Sequence, residues 1–182
     1  MRVVCAVMLL CAALFAAAPA VALDRGLVEA QAAFDSGAFG RAALLARKVQ
    51  TGEGDALASR AEMVRGDFVA TGEARLAHFE AALRDGRRAV ARAPDRPEAH
   101  LAVAVALGLV ARREGSMAAH FKGMASEARD HIDRALALNA DNAWAHAALG
   151  GWHLEIAYEG GPLGNVVYGA SAEAGIAAYE QA

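Results

Sequence analysis

Six residues from Asp95 to His100 return 46 positions later as Asp141 to His146, with the Asp, the Ala and the His at matching places. This internal echo constrains the fold more than composition does, because a recurring unit has to bury its apolar face against its own copies. Each block follows a similar stretch, Ala89-Val90-Ala91-Arg92-Ala93-Pro94 before the first and Ala135-Leu136-Ala137-Leu138-Asn139-Ala140 before the second. Tyr179-Glu180-Gln181-Ala182 begins a third such ending, its Ala182 falling 47 residues after Ala135. The units read as helix pairs. Alanine is abundant, aromatic residues make up 6% and prolines number four, which favours helix over strand. Leu57, Ala61, Val64 and Phe68 share one helical face, as do Ala128, Ile132, Ala135 and Leu136. The expected architecture is all-α, a stack of antiparallel helix pairs in one domain over residues 23–182, with units near 27–50, 55–94, 97–140 and 142–182.

Residues 1–22 read as a targeting segment. Arg2 precedes an uncharged run from Val3 to Leu23 that contains two small-residue cleavage triplets, Ala18-Pro19-Ala20 and Ala20-Val21-Ala22. A cut after Ala22 leaves Pro19 outside the triplet and starts the mature chain at Leu23-Asp24-Arg25-Gly26. The run is also long enough for an uncleaved membrane anchor, which is the only membrane association expected. Cys5 and Cys11 both fall in this segment, so the mature chain carries no disulfide and no catalytic thiol. Met8-Leu9-Leu10 before Cys11 is unlike a lipid-attachment site. A periplasmic or secreted protein is expected. Losing Arg2 moves the formal charge from −3 to −4. A mildly acidic chain without a basic stripe argues against nucleic acid as partner.

Small residues mark where helices approach closely. Ala30 and Ala42 are 12 residues apart, with Gly37 between them, whereas Ala61 to Ala82, Ala104 to Ala128 and Gly150 to Gly175 are separated by 21, 24 and 25. Leu149-Gly150, followed by Gly175 and Ala182, and Ala128 with Ala135, resemble the tetratricopeptide repeat family, which the resemblance implies to be an α-solenoid. The lengthened units resemble one branch of it, the tetratricopeptide-like domain of regulators of microtubule dynamics. That resemblance runs from about Arg112 to Gln181. It rests on Phe121-Lys122, on His131-Ile132-Asp133-Arg134-Ala135-Leu136-Ala137-Leu138, and on Ala145-His146-Ala147-Ala148-Leu149-Gly150-Gly151-Trp152. Gly151 stands where that branch favours a basic residue. The resemblance implies Ala104, Ala128, Ala135, Leu149, Gly150, Trp152, Gly175 and Ala182 as structural repeat positions.

Catalytic signatures are missing: there is no Gly-x-Ser-x-Gly, no His-Glu-x-x-His and no Cys-x-x-Cys. Neither an enzyme nor a cofactor is expected. His146 and His153 lie seven residues apart, two helical turns, too far for two ligands of one ion. His100 and His146 share a repeat position, which points to packing, so no metal is expected. The segment Glu159-Gly160-Gly161-Pro162-Leu163-Gly164-Asn165 lacks the Lys and Ser/Thr of a phosphate loop. It reads instead as an insertion whose Leu163, Val166, Val167 and Tyr168 either pack or form an apolar lip.

In tetratricopeptide repeats the first helix of each pair lines a peptide groove. The matching positions here include Glu62, Arg65, Glu98, Leu101, Val105, Trp144, Gly151 and Leu154. Trp144 is the expected anchor, and Trp152 is assigned to packing. The expected function is an exported scaffold that binds a protein or peptide through this face, with Glu98, Leu101, Trp144, Leu154, Leu163 and Tyr168 as contact residues. The alternatives are a small-ligand binder serving transport and, last, a metal-dependent hydrolase. Because the last helix stops at Ala182, self-association through an exposed array end is a further expectation.

Overall fold

The computed structural model describes residues 24–182, and the expected targeting segment, 1–22, lies outside them. Among the described residues the chain is helical between short turns, with no strand. The helices are α1 (Arg25–Asp35), α2 (Phe39–Val49), α3 (Gly52–Val64), α4 (Ala74–Arg92), α5 (Pro97–Glu114), α6 (Ser116–Phe121), α7 (Met124–Leu138), α8 (Ala143–Tyr168) and α9 (Ala172–Glu180). Their starts are written in the sequence. Asp24, Thr51, Asn142 and Ser171 each accept a hydrogen bond from a first-turn amide, and Pro97 opens α5 where its missing N–H costs nothing.

Consecutive helices pack together, and α1 also meets α3, α3 meets α5, and α5 meets α8. The first helices of successive pairs therefore stack side by side, as in an α-solenoid. Alanine seams permit this closeness: Ala30, Ala42, Ala46, Ala58, Ala61, Ala82 and Ala135 are fully buried. A larger side chain in any seam would force the axes apart. The largest apolar cluster joins Val103 and Leu107 of α5, Ile132 of α7 and Trp152 of α8. The Trp152 indole donates to the Ala125 carbonyl at 2.8 Å and lies under the Arg129 guanidinium. Gly150 and Gly175 bring α8 and α9 together, since a Cβ added at Gly175 would stand 3.2 Å from the Gly150 carbonyl. Leu149 is half-buried against the main cluster.

The extra length of the later units lies in longer helices, α4 and α5 running 19 and 18 residues against 11 each for α1 and α2, and in the segments that join the two helices of a pair. A π-helical turn, Arg65–Val69, follows α3 and closes with the Ala70 amide donating to the Arg65 carbonyl at 2.7 Å. This wider turn breaks the 3.6-residue phase. Phe68, expected on the buried face with Leu57, Ala61 and Val64, is consequently exposed. Between α5 and α7 the added residues form α6. In α8 the helix breaks at Gly161, with φ 52° and ψ −147°, ahead of Pro162. The chain then folds back until Gly164 packs on the Ile156 carbonyl.

Ala182 departs from expectation. Its counterpart Ala135 is enclosed by Leu101 and Ala145, whereas Ala182 lies past the end of α9 and is exposed.

Candidate functional site

Stacking α1, α3 and α5 leaves an open groove of about 540 Å³ along their shared face. Leu27, Ala56, Leu57 and Ala99 form an apolar floor, and Val28 stands half-exposed in the wall. Helical phase explains the lining: Glu53, Ala56, Leu57 and Arg60 fall on one side of α3. The rim is polar. Arg96 reaches Glu53 at 3.1 Å, tying α5 to α3, and Gln31 donates to Asp35 at 2.7 Å. Arg60 lies over the Phe34 ring, 5.0 Å from its centroid. Glu98 completes the rim on α5. An apolar floor with a few placed polar groups suits an apolar segment flanked by hydrogen-bonding groups.

Of the residues expected at a binding face, Glu98 lies in this groove. Trp144 sits at the second position of α8, as Glu98 does on α5, and is 79% exposed, but it lies outside the groove lining. Leu101 is only 9% exposed, packed on Ala135 and Ala145. It belongs to the core, because α8 covers that face of α5. Leu154 is also packing: its Cγ would lie 2.8 Å from a Cβ at Gly175, between α8 and α9. Glu62 and Arg65 face a separate cleft between α2, α3 and α4. The α1 contribution of Leu27, Val28 and Gln31 was not anticipated; the adjacent Leu27 and Val28 were its only sequence signal.

The insertion near residue 161 divides. Leu163, Val166 and Val167 are exposed, whereas Tyr168 turns inward, edge-on to Trp152, with its hydroxyl 2.5 Å from His120 Nδ1. Phe68 and Val69 of the π turn, Met117 and Phe121 of α6, and Tyr158 and Leu163 of α8 are all exposed, so each of the three lengthened turns carries apolar tips. Arg112 near the end of α5 pairs with Glu155 of α8 at 3.1 Å. Its hydrogen bond to Glu155 outweighs its burial and raises its pKa, with further help from Glu155, Asp67 and Glu159.

His100 and His146 brace the turns that precede their helices. His100 Nε2 meets the Pro94 carbonyl at 3.0 Å, and His146 Nε2 meets the Ala140 carbonyl at 2.8 Å, the same bond in both copies of the repeated block. His100 Nδ1 then pairs with His131 Nδ1 at 2.9 Å. In the last pair the residue corresponding to His131 is Ala178, and His146 Nδ1 is left buried without a partner. Among the described residues no three His, Cys, Asp or Glu side chains converge as a metal-ligand set, and no helix is long and apolar enough to cross a membrane.

A family model described as Regulator of microtubule dynamics protein 1-3 matches residues 31–159. The match takes in the α1 to α4 region, upstream of the Arg112 to Gln181 stretch on which the resemblance rests, and ends just before the Gly161 break. No curated protein matches the chain.

Proposed function

Because the chain belongs to the family of regulators of microtubule dynamics, a regulatory helical domain and not a known enzyme family, we propose that its mature part is an exported interaction domain. A protein or peptide segment lies in the groove across α1, α3 and α5. The observation that carries this reading is the groove itself, open, apolar at its floor and built from equivalent faces of three successive first helices. An open groove favours a polypeptide over a small ligand, which an enclosed cavity would suit better.

The uncharged run from Val3 to Leu23 with its Ala20-Val21-Ala22 triplet supports export. An exported chain meets no microtubules, so the partner is a protein of the periplasm or exterior. Trp144 and the apolar tips at Leu163 and Val166 provide secondary contacts. The test is to sequence the N-terminus of the protein recovered from outside the cytoplasm, then retain partners on that chain and repeat with Val28→Glu. A start at Leu23, and loss of the partner at an unchanged melting temperature, are expected. A chain that stays cytoplasmic, or a partner retained equally by Val28→Glu, would overturn export or the groove respectively.

A further inference from the structure

The groove uses one face of α3. The opposite face carries Asp55 and Glu62, seven residues and two turns apart, which lie with Asp85 of α4 in a second open cleft of about 640 Å³ between α2, α3 and α4. These three carboxylates are at most 3% exposed and require cations beside them. They have more than they require. Asp85 is held by Arg47 at 2.7 Å and by Arg88; Asp55 by Arg88 at 3.3 Å and by Arg92. Glu62 is held by Arg47 and His78, both at 2.8 Å, and by Arg65 at 3.1 Å. Burial would raise the Glu62 pKa, but its bonds to Arg47 and His78 and the Arg65 charge outweigh that and lower it. Any one of these arginines can be removed and every carboxylate still keeps a guanidinium.

Neutralising the floor therefore does not account for the number of cations. Arg84 adds to the lining without touching a buried carboxylate, its nearest acid being half-exposed Glu80 at 4.0 Å. Five guanidiniums against three carboxylates leave two positive charges in excess within the lining. Arg84, Arg88 and Arg92 are spaced four residues apart on one side of α4, a short basic row that the chain's net acidic charge masks in the sequence. All three are at least 38% exposed, so N–H groups of these forks remain directed at solvent. Gln50, held in the left-handed region at φ 57°, adds its side chain at the same cleft.

We infer that this cleft binds a phosphate monoester, with the guanidinium forks of Arg84, Arg88 and Arg92 on its oxygens and the buried carboxylates of Asp55 and Asp85 holding Arg88 and Arg92 in place. Two excess charges match a dianion, guanidinium forks suit phosphate oxygens, and the space exceeds a bare ion, leaving room for the esterified group. The ester comes from a small molecule or from a phosphorylated side chain of a protein. The site is separate from the groove, and Val28→Glu is expected to leave it intact.

The test is calorimetric titration of the mature chain with phosphoserine, free and within a short peptide, against sulfate and chloride at equal ionic strength. Saturable phosphoserine binding is expected, weakened at least tenfold by Arg84→Gln and by Arg88→Gln. Arg84 lies off the buried network, so Arg84→Gln is expected to melt as the parent does and keeps the test decisive if Arg88→Gln unfolds. Tighter binding of the peptide supports the site with a protein source, and equal binding supports it with a small-molecule source. Binding no stronger than that of sulfate or chloride, or undiminished in Arg84→Gln, would overturn the inference.

Discussion

Gly54→Ala and Gly108→Ala make the same chemical change in two helices and are expected to act with opposite sign. Both gain about 0.5–1 kcal/mol, because alanine loses less backbone freedom than glycine on entering a helix. At Gly108 nothing lies within 4 Å of the added Cβ, so the gain stands. At Gly54 the Cβ would lie 2.6 Å from the Ala46 carbonyl oxygen and 3.0 Å from Val49 Cβ on α2. The Ala46 obstacle is backbone and cannot swing aside. A carbon–oxygen contact of about 3.3 Å requires α2 and α3 to part by roughly 0.7 Å, a gap that forfeits a quarter to a half of each dispersion contact along the alanine seam. Overpacking of this kind costs about 1–3 kcal/mol, leaving a net loss of about 1–2 kcal/mol. For a chain of this size each kcal/mol shifts the melting temperature by about 2–4 °C. Thermal and urea unfolding of the protein should place Gly54→Ala about 3–6 °C below the parent and Gly108→Ala about 2 °C above it. Two stabilising substitutions would refute the close approach of α2 to α3.

Gly150→Leu is expected to cost about 2–3 kcal/mol in urea denaturation, since even a Cβ there would stand 2.6 Å from the Tyr179 ring; an unchanged midpoint would refute the α8–α9 contact. His131 has its pKa lowered by burial and by His100, against Glu127 and Asp130, with Arg87 lowering it further; burial and Arg129 lower that of His153. Because the unfolded chain binds these protons more readily, their contribution is intact above about pH 6.5 and declines as pH falls through that value towards the lowered pKa. The melting temperature should therefore drop on acidification, and His131→Gln should flatten the slope; an unaltered slope would refute the role of the His100–His131 pair. Trp144→Ala should leave stability within about 0.5 kcal/mol while weakening the partner, and full binding would confine the site to α1, α3 and α5.

What could be read in advance follows from the range of each interaction. The recurrence of Asp95-to-His100 at Asp141-to-His146 is local, and it marks the starts of α5 and α8 and even the shared histidine-to-carbonyl bond. Caps such as Thr51 and Ser171 are local too. The π turn at Arg65–Val69 was hidden, because it needs Gly66 packed on Phe79 and its carbonyl accepting from Arg75, contacts made across a turn. Leu101 looked like a groove residue on α5, but Ala145 of the following unit covers it. The arginine cleft was equally hidden, since Arg47 and Asp85 meet from 38 residues apart and carry no periodic signal.

The groove is tested most directly by photo-crosslinking in living cells, with a benzophenone amino acid placed at position 28 in the groove wall or at position 44. Leu44 is exposed on α2, outside the groove lining. A discrete protein adduct from position 28, missing from position 44 and located by mass spectrometry to one segment of the partner, is the expected result. Adducts of equal yield from both positions, or from position 44 alone, would contradict binding in the groove.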